Sequence, residues 1–185
     1  MVHNRHQDYL RRIEAIHLAL QIPSNYGALR KLTPYLEASD LVPAGGQERP
    51  HYLAPQAALQ WHAMKSAAAK DEIQLLLISS FRSVNRQREI IEQKLRKGMD
   101  LNTILTVNAA PGFSQHHTGL ALDIGTPTYP NLMKDFENTV AFHWLTSNAA
   151  NFGFVMPYTQ DNQHGFIYEP WHWVLAEATH CSATA

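Results

Sequence analysis

His116 and Asp123 stand seven residues apart in the run Ser114-Gln115-His116-His117-Thr118-Gly119-Leu120-Ala121-Leu122-Asp123, and a second run, Glu169-Pro170-Trp171-His172-Trp173, follows downstream. Together they offer two histidines and a carboxylate as metal ligands, with Glu169 as a spare carboxylate three positions before the last histidine. Three protein ligands and an open fourth position is the pattern of a catalytic zinc, whereas structural zinc sites are closed by four. The chemistry to expect is hydrolysis assisted by one Zn2+. A carboxylate near the metal but not bound to it is what activation of water needs.

These residues must be brought to one side of the backbone. On an extended strand side chains alternate faces, so Ala121, Asp123 and Gly125 share one face and Leu120, Leu122 and Ile124 the other. The bulky face suits a core, and the Asp123 face leaves room for a metal and a substrate. His116 has the wrong parity to join Asp123 along a continuous strand, and Gly119 relieves that by permitting a bend or a positive φ. In the second run His172 and Val174 share a face, opposite Trp171, Trp173 and Leu175. Pro170 suits a strand start, so Glu169 can turn toward the site from the loop before it. His117 competes with His116 as the ligand, and spacing alone does not separate neighbours.

The surrounding pattern predicts a helix over residues 6–20 from Leu10, Ile13, Ile16, His17 and Leu20, and a short one from about Tyr26 to Leu36. Ser39 to Pro50, with Pro43, Gly45 and Gly46, reads as a loop. Pro55 opens an Ala-rich helix to about Lys70. Ile73–Ile78 reads as a buried strand, and Ser83 as the N-cap of a helix from Val84 to about Lys97, with Glu92 and Arg96 in favourable order. A further helix is expected from Asn138 to Asn151, and strands near Leu120–Gly125 and Trp171–Leu175. The fold class is α+β: a small, mostly antiparallel sheet with helices packed around it. The whole of 1–185 reads as one domain, with residues 1–50 as an N-terminal helical arm and 51–180 as the catalytic core.

Composition narrows the partners. The formal net charge of −1 is spread without a basic stripe, which argues against nucleic acid. No stretch approaches the roughly 20 apolar residues of a membrane span, and the N-terminus lacks an apolar signal segment. As written the chain reads as cytoplasmic; a trimmed signal would place it in the periplasm or cell envelope. Cys181 stands alone, so no internal disulfide is possible, and it reads as a free thiol in a tail. His164 reads as a loop histidine. The oligomeric state is not legible.

Ser-x-His-x-x-Gly-x-Ala-x-Asp, fulfilled by Ser114, His116, Gly119, Ala121 and Asp123, resembles the signature of the VanY-type D-alanyl-D-alanine carboxypeptidases. These are zinc metallopeptidases of the group that includes the lysostaphin-type enzymes and the zinc domain of Sonic hedgehog. Glu169-Pro170-Trp171-His172-Trp173 is similar to the group's second signature, and Phe81-Arg82-Ser83 with Gln87 to its Tyr-Arg-Ser-x-x-x-Gln element. Three ordered motifs over residues 79–175 make the combination specific. Val174-Leu175 departs from the family's frequent Arg-Tyr at that place.

The resemblance implies a hedgehog/D-Ala-D-Ala-peptidase-like fold in which His116, Asp123 and His172 bind zinc and Glu169 is the catalytic base. It implies that Arg82, with Ser114 and Gln87, holds the substrate's terminal carboxylate or steadies the transition state, a task that suits a planar, always charged guanidinium. The implied substrate is a peptidoglycan stem peptide or muropeptide ending in D-Ala-D-Ala. An L,D-carboxypeptidase acting on a tetrapeptide in wall recycling and an L-alanyl-D-glutamate endopeptidase share the scaffold. A zinc-stabilised binding module is the alternative from outside enzymology, and the presence of Glu169 and Arg82 argues against it.

Overall fold

Pro55 sits at the first turn of a helix, where its missing N–H is no loss. In the computed structural model, which describes residues 2–46 and 50–176, this helix (α3, Pro55–Lys70) packs Trp61 and Met64 against one face of a four-stranded sheet. The sheet is antiparallel throughout, in the order β3 (Leu76–Ser79), β4 (Ala121–Gly125), β6 (His172–Leu175), β5 (Phe154–Val155). Leu122, Ile124 and Trp173 join that core with Ala141, Phe142 and Leu145 of α6 (Val140–Asn148). Leu122 and Ile124 are wholly buried, and each contributes roughly 1.5–3 kcal/mol by leaving water. The expected α+β architecture is the one found.

A second core lies among the remaining helices. Ile13, Ile16 and Leu20 of α1 (Val2–Ala19) and Tyr26 of α2 (Tyr26–Arg30) meet Val84 and Ile91 of α4 (Val84–Arg96), Ile104 and Leu105 of α5 (Leu101–Val107), and Phe113. Ser83 caps α4, its hydroxyl accepting from the Arg86 N–H at 3.1 Å, and Asp100 caps α5 by accepting from Thr103 N–H at 2.9 Å.

The structure departs from the sequence reading in several elements. Val42–Gly45, expected in a loop, forms strand β1 and pairs with β2 (His51–Leu53). The helix at Tyr26 stops at Arg30 because Lys31 turns left-handed at φ 52° and Pro34 follows. The strand expected as buried from Ile73 begins at Leu76 and is only half-buried, because it is an edge of the sheet. The helix expected from Asn138 is interrupted: Lys134–Asn138 is a 3-10 turn, and extended Thr139 starts α6 afresh by accepting from the Phe142 N–H. Helix α5 and strand β5 carry little hydrophobic periodicity and were not predicted. Cys181 lies outside the described residues.

Candidate active site

Asp123 and His172 are direct partners across β4 and β6, so their side chains emerge on the same face of the sheet, opposite Leu122 and Trp173. His116 reaches them from a one-turn 3-10 helix, Gln115–Thr118, that precedes β4. Gly119 ends that turn at φ +69°, and a Cβ there would lie 2.9 Å from Ala54 N. The chain therefore bends where parity required it to bend, and only glycine fits the bend. One ligand atom from each of His116, Asp123 and His172 lies within 4.8 Å of the others, and all three residues are buried.

The hydrogen bonds around this trio show which ring nitrogens face inward, and for His116 which one is bare. His116 Nδ1–H donates to the Ser80 carbonyl at 2.7 Å, which leaves its Nε2 without a proton, without a hydrogen bond, and 3.3 Å from Asp123 Oδ2. His172 Nε2 lies 2.9 Å from Gln115 Oε1 and its Nδ1 2.9 Å from Asp123 Oδ1, so the tautomer that donates from Nε2 to Gln115 presents Nδ1 to a metal beside Asp123. The His116 lone pair facing a carboxylate in a buried place is uncompensated unless a cation lies between them. The donor set, two imidazoles and one carboxylate, suits zinc. Burial and the nearby Arg82 charge push His116 down to about 4. Burial alone would raise Asp123, yet positive charge and N–H donation from the His116 and His172 positions, the stabilisation that a cation there would equally supply, hold it well below the usual carboxylate range. At neutral pH both are in the forms that ligate a metal.

His117 does different work. Gly112 N–H donates to its Nε2 at 3.0 Å, so Nδ1 carries the proton and donates to the Arg82 carbonyl at 2.6 Å. The second histidine of the pair thus pins the backbone of Arg82 and points away from the trio.

A cavity of about 240 Å³ opens beside these three residues, lined among others by Arg82, Ser114, Tyr158 and Glu169. Glu169 is held from the loop before β6, its N–H donating to the Tyr158 carbonyl at 3.0 Å and its own carbonyl accepting from His172 N–H at 3.1 Å. Burial and the Asp123 charge raise Glu169 to about 8, with Arg82 opposing. Arg82 has a buried Nε without a partner among the described residues. Burial lowers its pKa, while Asp123 and Glu169 counter that. Tyr158 stacks on His172, their centroids 4.9 Å apart and their planes at 19°.

Gln87 is absent from the lining. It is fully buried behind the wall, where its amide donates to the Ala109 carbonyl at 2.7 Å. The sequence reading put it among substrate-holding groups; the fold gives it the shape of the wall instead. Tyr158, Lys94 and Asn108 at the site come from elements far apart in the chain, and no spacing links them to the motifs. Gln115 stands next to His116 in the first motif, but adjacency gives no sign that its side chain reaches His172.

Residues 50–177 match the family model for VanY D-alanyl-D-alanine carboxypeptidases. The chain belongs to the VanY family. It is 30% identical over 141 residues to the bifunctional D-Ala-D-Ala dipeptidase and D-Ala-D-Ala carboxypeptidase VanXYC of Enterococcus gallinarum, covering 74% of this chain and 73% of that protein. It is 30% identical over 117 residues to a D-alanyl-D-alanine carboxypeptidase of Enterococcus faecalis, covering 58% of this chain and 42% of the relative. Among solved structures, the LdcB LD-carboxypeptidase superposes with a TM-score of 0.67 at 30% identity over 75% of this chain and 69% of that one. The VanYB complex with D-alanine-D-alanine, at 24% identity and a TM-score of 0.62, shares the VanY-type fold. No helix among the described residues is long and apolar enough to cross a membrane.

Proposed function

We propose that this VanY-family chain is a zinc-dependent D,D-carboxypeptidase that removes the terminal D-Ala from peptidoglycan stem peptides ending in D-Ala-D-Ala. The observation that carries the reading is the convergence of one imidazole nitrogen each from His116 and His172 on the Asp123 carboxylate, with Glu169 and Arg82 on the wall of the adjoining cavity.

His116, Asp123 and His172 would hold the ion, which supplies Lewis acidity toward a carbonyl oxygen and makes water a stronger acid. Glu169 takes a proton from the water as the water oxygen bonds to the scissile carbonyl carbon. It returns that proton to the amine nitrogen as the C–N bond breaks, so free D-Ala leaves as the amine and the shortened peptide as the acid. Burial raises Glu169 above the ordinary carboxylate range in the metal-free cleft, and the ion would draw it part of the way back, toward the middle range that a two-way transfer needs. Arg82 offers a fixed positive charge to the oxygen that becomes negative. Ser114 lines the same cavity and contributes a hydroxyl to substrate positioning.

The likeness to the LdcB LD-carboxypeptidase favours a second reading, removal of D-Ala from a tetrapeptide, which would suit a cytoplasmic recycling role. Mass spectrometry of stem pentapeptide and tetrapeptide incubated with zinc-loaded protein decides between them. The expected result is loss of one D-Ala from the pentapeptide, abolished in Glu169→Ala with zinc still bound. Loss from the tetrapeptide alone selects the second reading, and two unchanged peptides refute both.

A further inference from the structure

Lys94 turns inward from α4 while its neighbours Gln93 and Arg96 stay exposed, and it lines the same cavity as Arg82 and Glu169. Its ammonium donates to Asn108 Oδ1 from the start of the segment after α5. A lysine ammonium has three donors, so two remain without a protein acceptor among the described residues. No carboxylate pairs with Lys94 in a salt bridge, although two turns of α4 carry such pairs at Arg86–Glu89 and Arg88–Glu92. A half-buried lysine placed near a second cation, Arg82, is held at a cost in desolvation and like-charge repulsion. A ligand anion would offset both.

The order of charges along the cavity fits one anion in particular. Arg82 N–H donates to the His116 carbonyl at 3.1 Å, so Arg82 is fastened beside a candidate metal ligand just before α4 begins, whereas Lys94 reaches the cavity from the last turn of that helix, on the Asn108 side. The Lys94 backbone therefore stands further from the candidate metal ligands than that of Arg82. In a peptide cut at its last amide bond, the terminal carboxylate stands one residue beyond the carbonyl under attack.

We propose that Lys94, steadied by Asn108, is the anchor for the C-terminal carboxylate of the substrate, and that Arg82 is thereby left to serve the scissile carbonyl. The assignment rests on the carboxypeptidase reading above. It makes Lys94 a residue that selects a free C-terminus, and so separates trimming of chain ends from cleavage inside a peptide.

The test is calorimetric titration of zinc-loaded Glu169→Ala protein, which holds peptide without cutting it, with N-acetyl-D-Ala-D-Ala and its C-terminal amide. The acid should bind roughly ten- to a hundredfold more tightly than the amide, the worth of a charge-assisted hydrogen bond. Adding Lys94→Met should erase most of that preference by weakening the acid alone, and Lys94→Gln should do the same; Lys94→Arg should keep part of it. A preference that survives both neutral substitutions, or that is absent before them, overturns the assignment. Stem-peptide cleavage by the unsubstituted chain is read in parallel. Cleavage with a Lys94-independent preference removes the anchor and leaves the carboxypeptidase. A Lys94-dependent preference without cleavage removes the carboxypeptidase and leaves the anion site.

Discussion

Tyr158 lies flat against His172, 4.9 Å between centroids, and in the same segment its carbonyl receives the Glu169 N–H. One residue thus braces a candidate metal ligand with its ring and the candidate base with its backbone. Tyr158→Leu removes only the first support. Because an aromatic pair of this kind contributes about 0.5–1.5 kcal/mol, zinc affinity should fall by up to roughly tenfold, alongside a lower thermal midpoint of the metal-free protein, since Tyr158 is buried against Phe166. Competition against a chelator of known affinity measures the first quantity and a melting curve the second.

Gln115 Oε1, 2.9 Å from His172 Nε2, is the acceptor for an Nε2–H, the tautomer that leaves Nδ1 for a metal. Gln115→Leu leaves that proton unpaired and frees the ring to turn or change tautomer. Partners of this kind are worth about 10- to 100-fold in metal affinity, and a loss in that range is expected in the same chelator competition. Gln115→Glu, which keeps an acceptor in place, should restore most of it. Equal affinity in all three proteins would remove Gln115 from the account.

The pH profile of kcat/KM should carry the mark of Glu169. A base must be deprotonated to accept a proton, so activity rises with pH through its pKa. Burial and the Asp123 charge place that limb above the ordinary carboxylate range and toward about 8 in the metal-free cleft, and a bound cation draws it down again. An acid limb between these bounds is expected, displaced downward when a more strongly acidic divalent ion replaces zinc. A rate independent of pH from 4 to 9 would contradict the role.

His17 makes stability, as distinct from activity, depend on pH. Burial lowers its pKa, and its Nε2–H donates to the Pro111 carbonyl at 2.8 Å beneath Phe113. The folded chain resists the proton that the unfolded chain accepts below about 6.5. Its contribution is therefore complete above that value and is lost as pH falls through it, at no more than about 1.4 kcal/mol per pH unit. Denaturant unfolding of the unsubstituted chain and His17→Gln at pH 5 and pH 8 checks this: the gap in stability between them should shrink at the lower pH.

Much of the site geometry could be reached from residue order. The alternation of β4 put Asp123 opposite the core-facing Leu122, and the need for a bend before it pointed to Gly119, which has the positive φ. The choice between His116 and His117 was beyond spacing, because it depends on which ring finds the carbonyl of Ser80 and which that of Arg82. Gln87 shows the limit of a motif: its position in the sequence element says that it matters, and only the fold says that it props Ala109 from behind. Lys94 and Tyr158 were silent because cavity walls are assembled by contacts between elements, and those contacts have no period. In the same way β1 and β5 exist through pairing with partners, not through a pattern of their own.

The match to the VanY family starts at residue 50, yet Val84, Ile91 and Phe113 are covered by Ile13, Ile16, Leu20 and Tyr26 from well before it. A fragment cut to the matched span would keep all seven residues named for metal, base and substrate, and would bare the oily back of the helix that follows Arg82. Such a fragment would be a chaperone client and an aggregator before it was a hydrolase. The shortest stretch that carries the chemistry is thus shorter than the shortest stretch that can live in water, and the leading helix acts as the chain's built-in solubiliser.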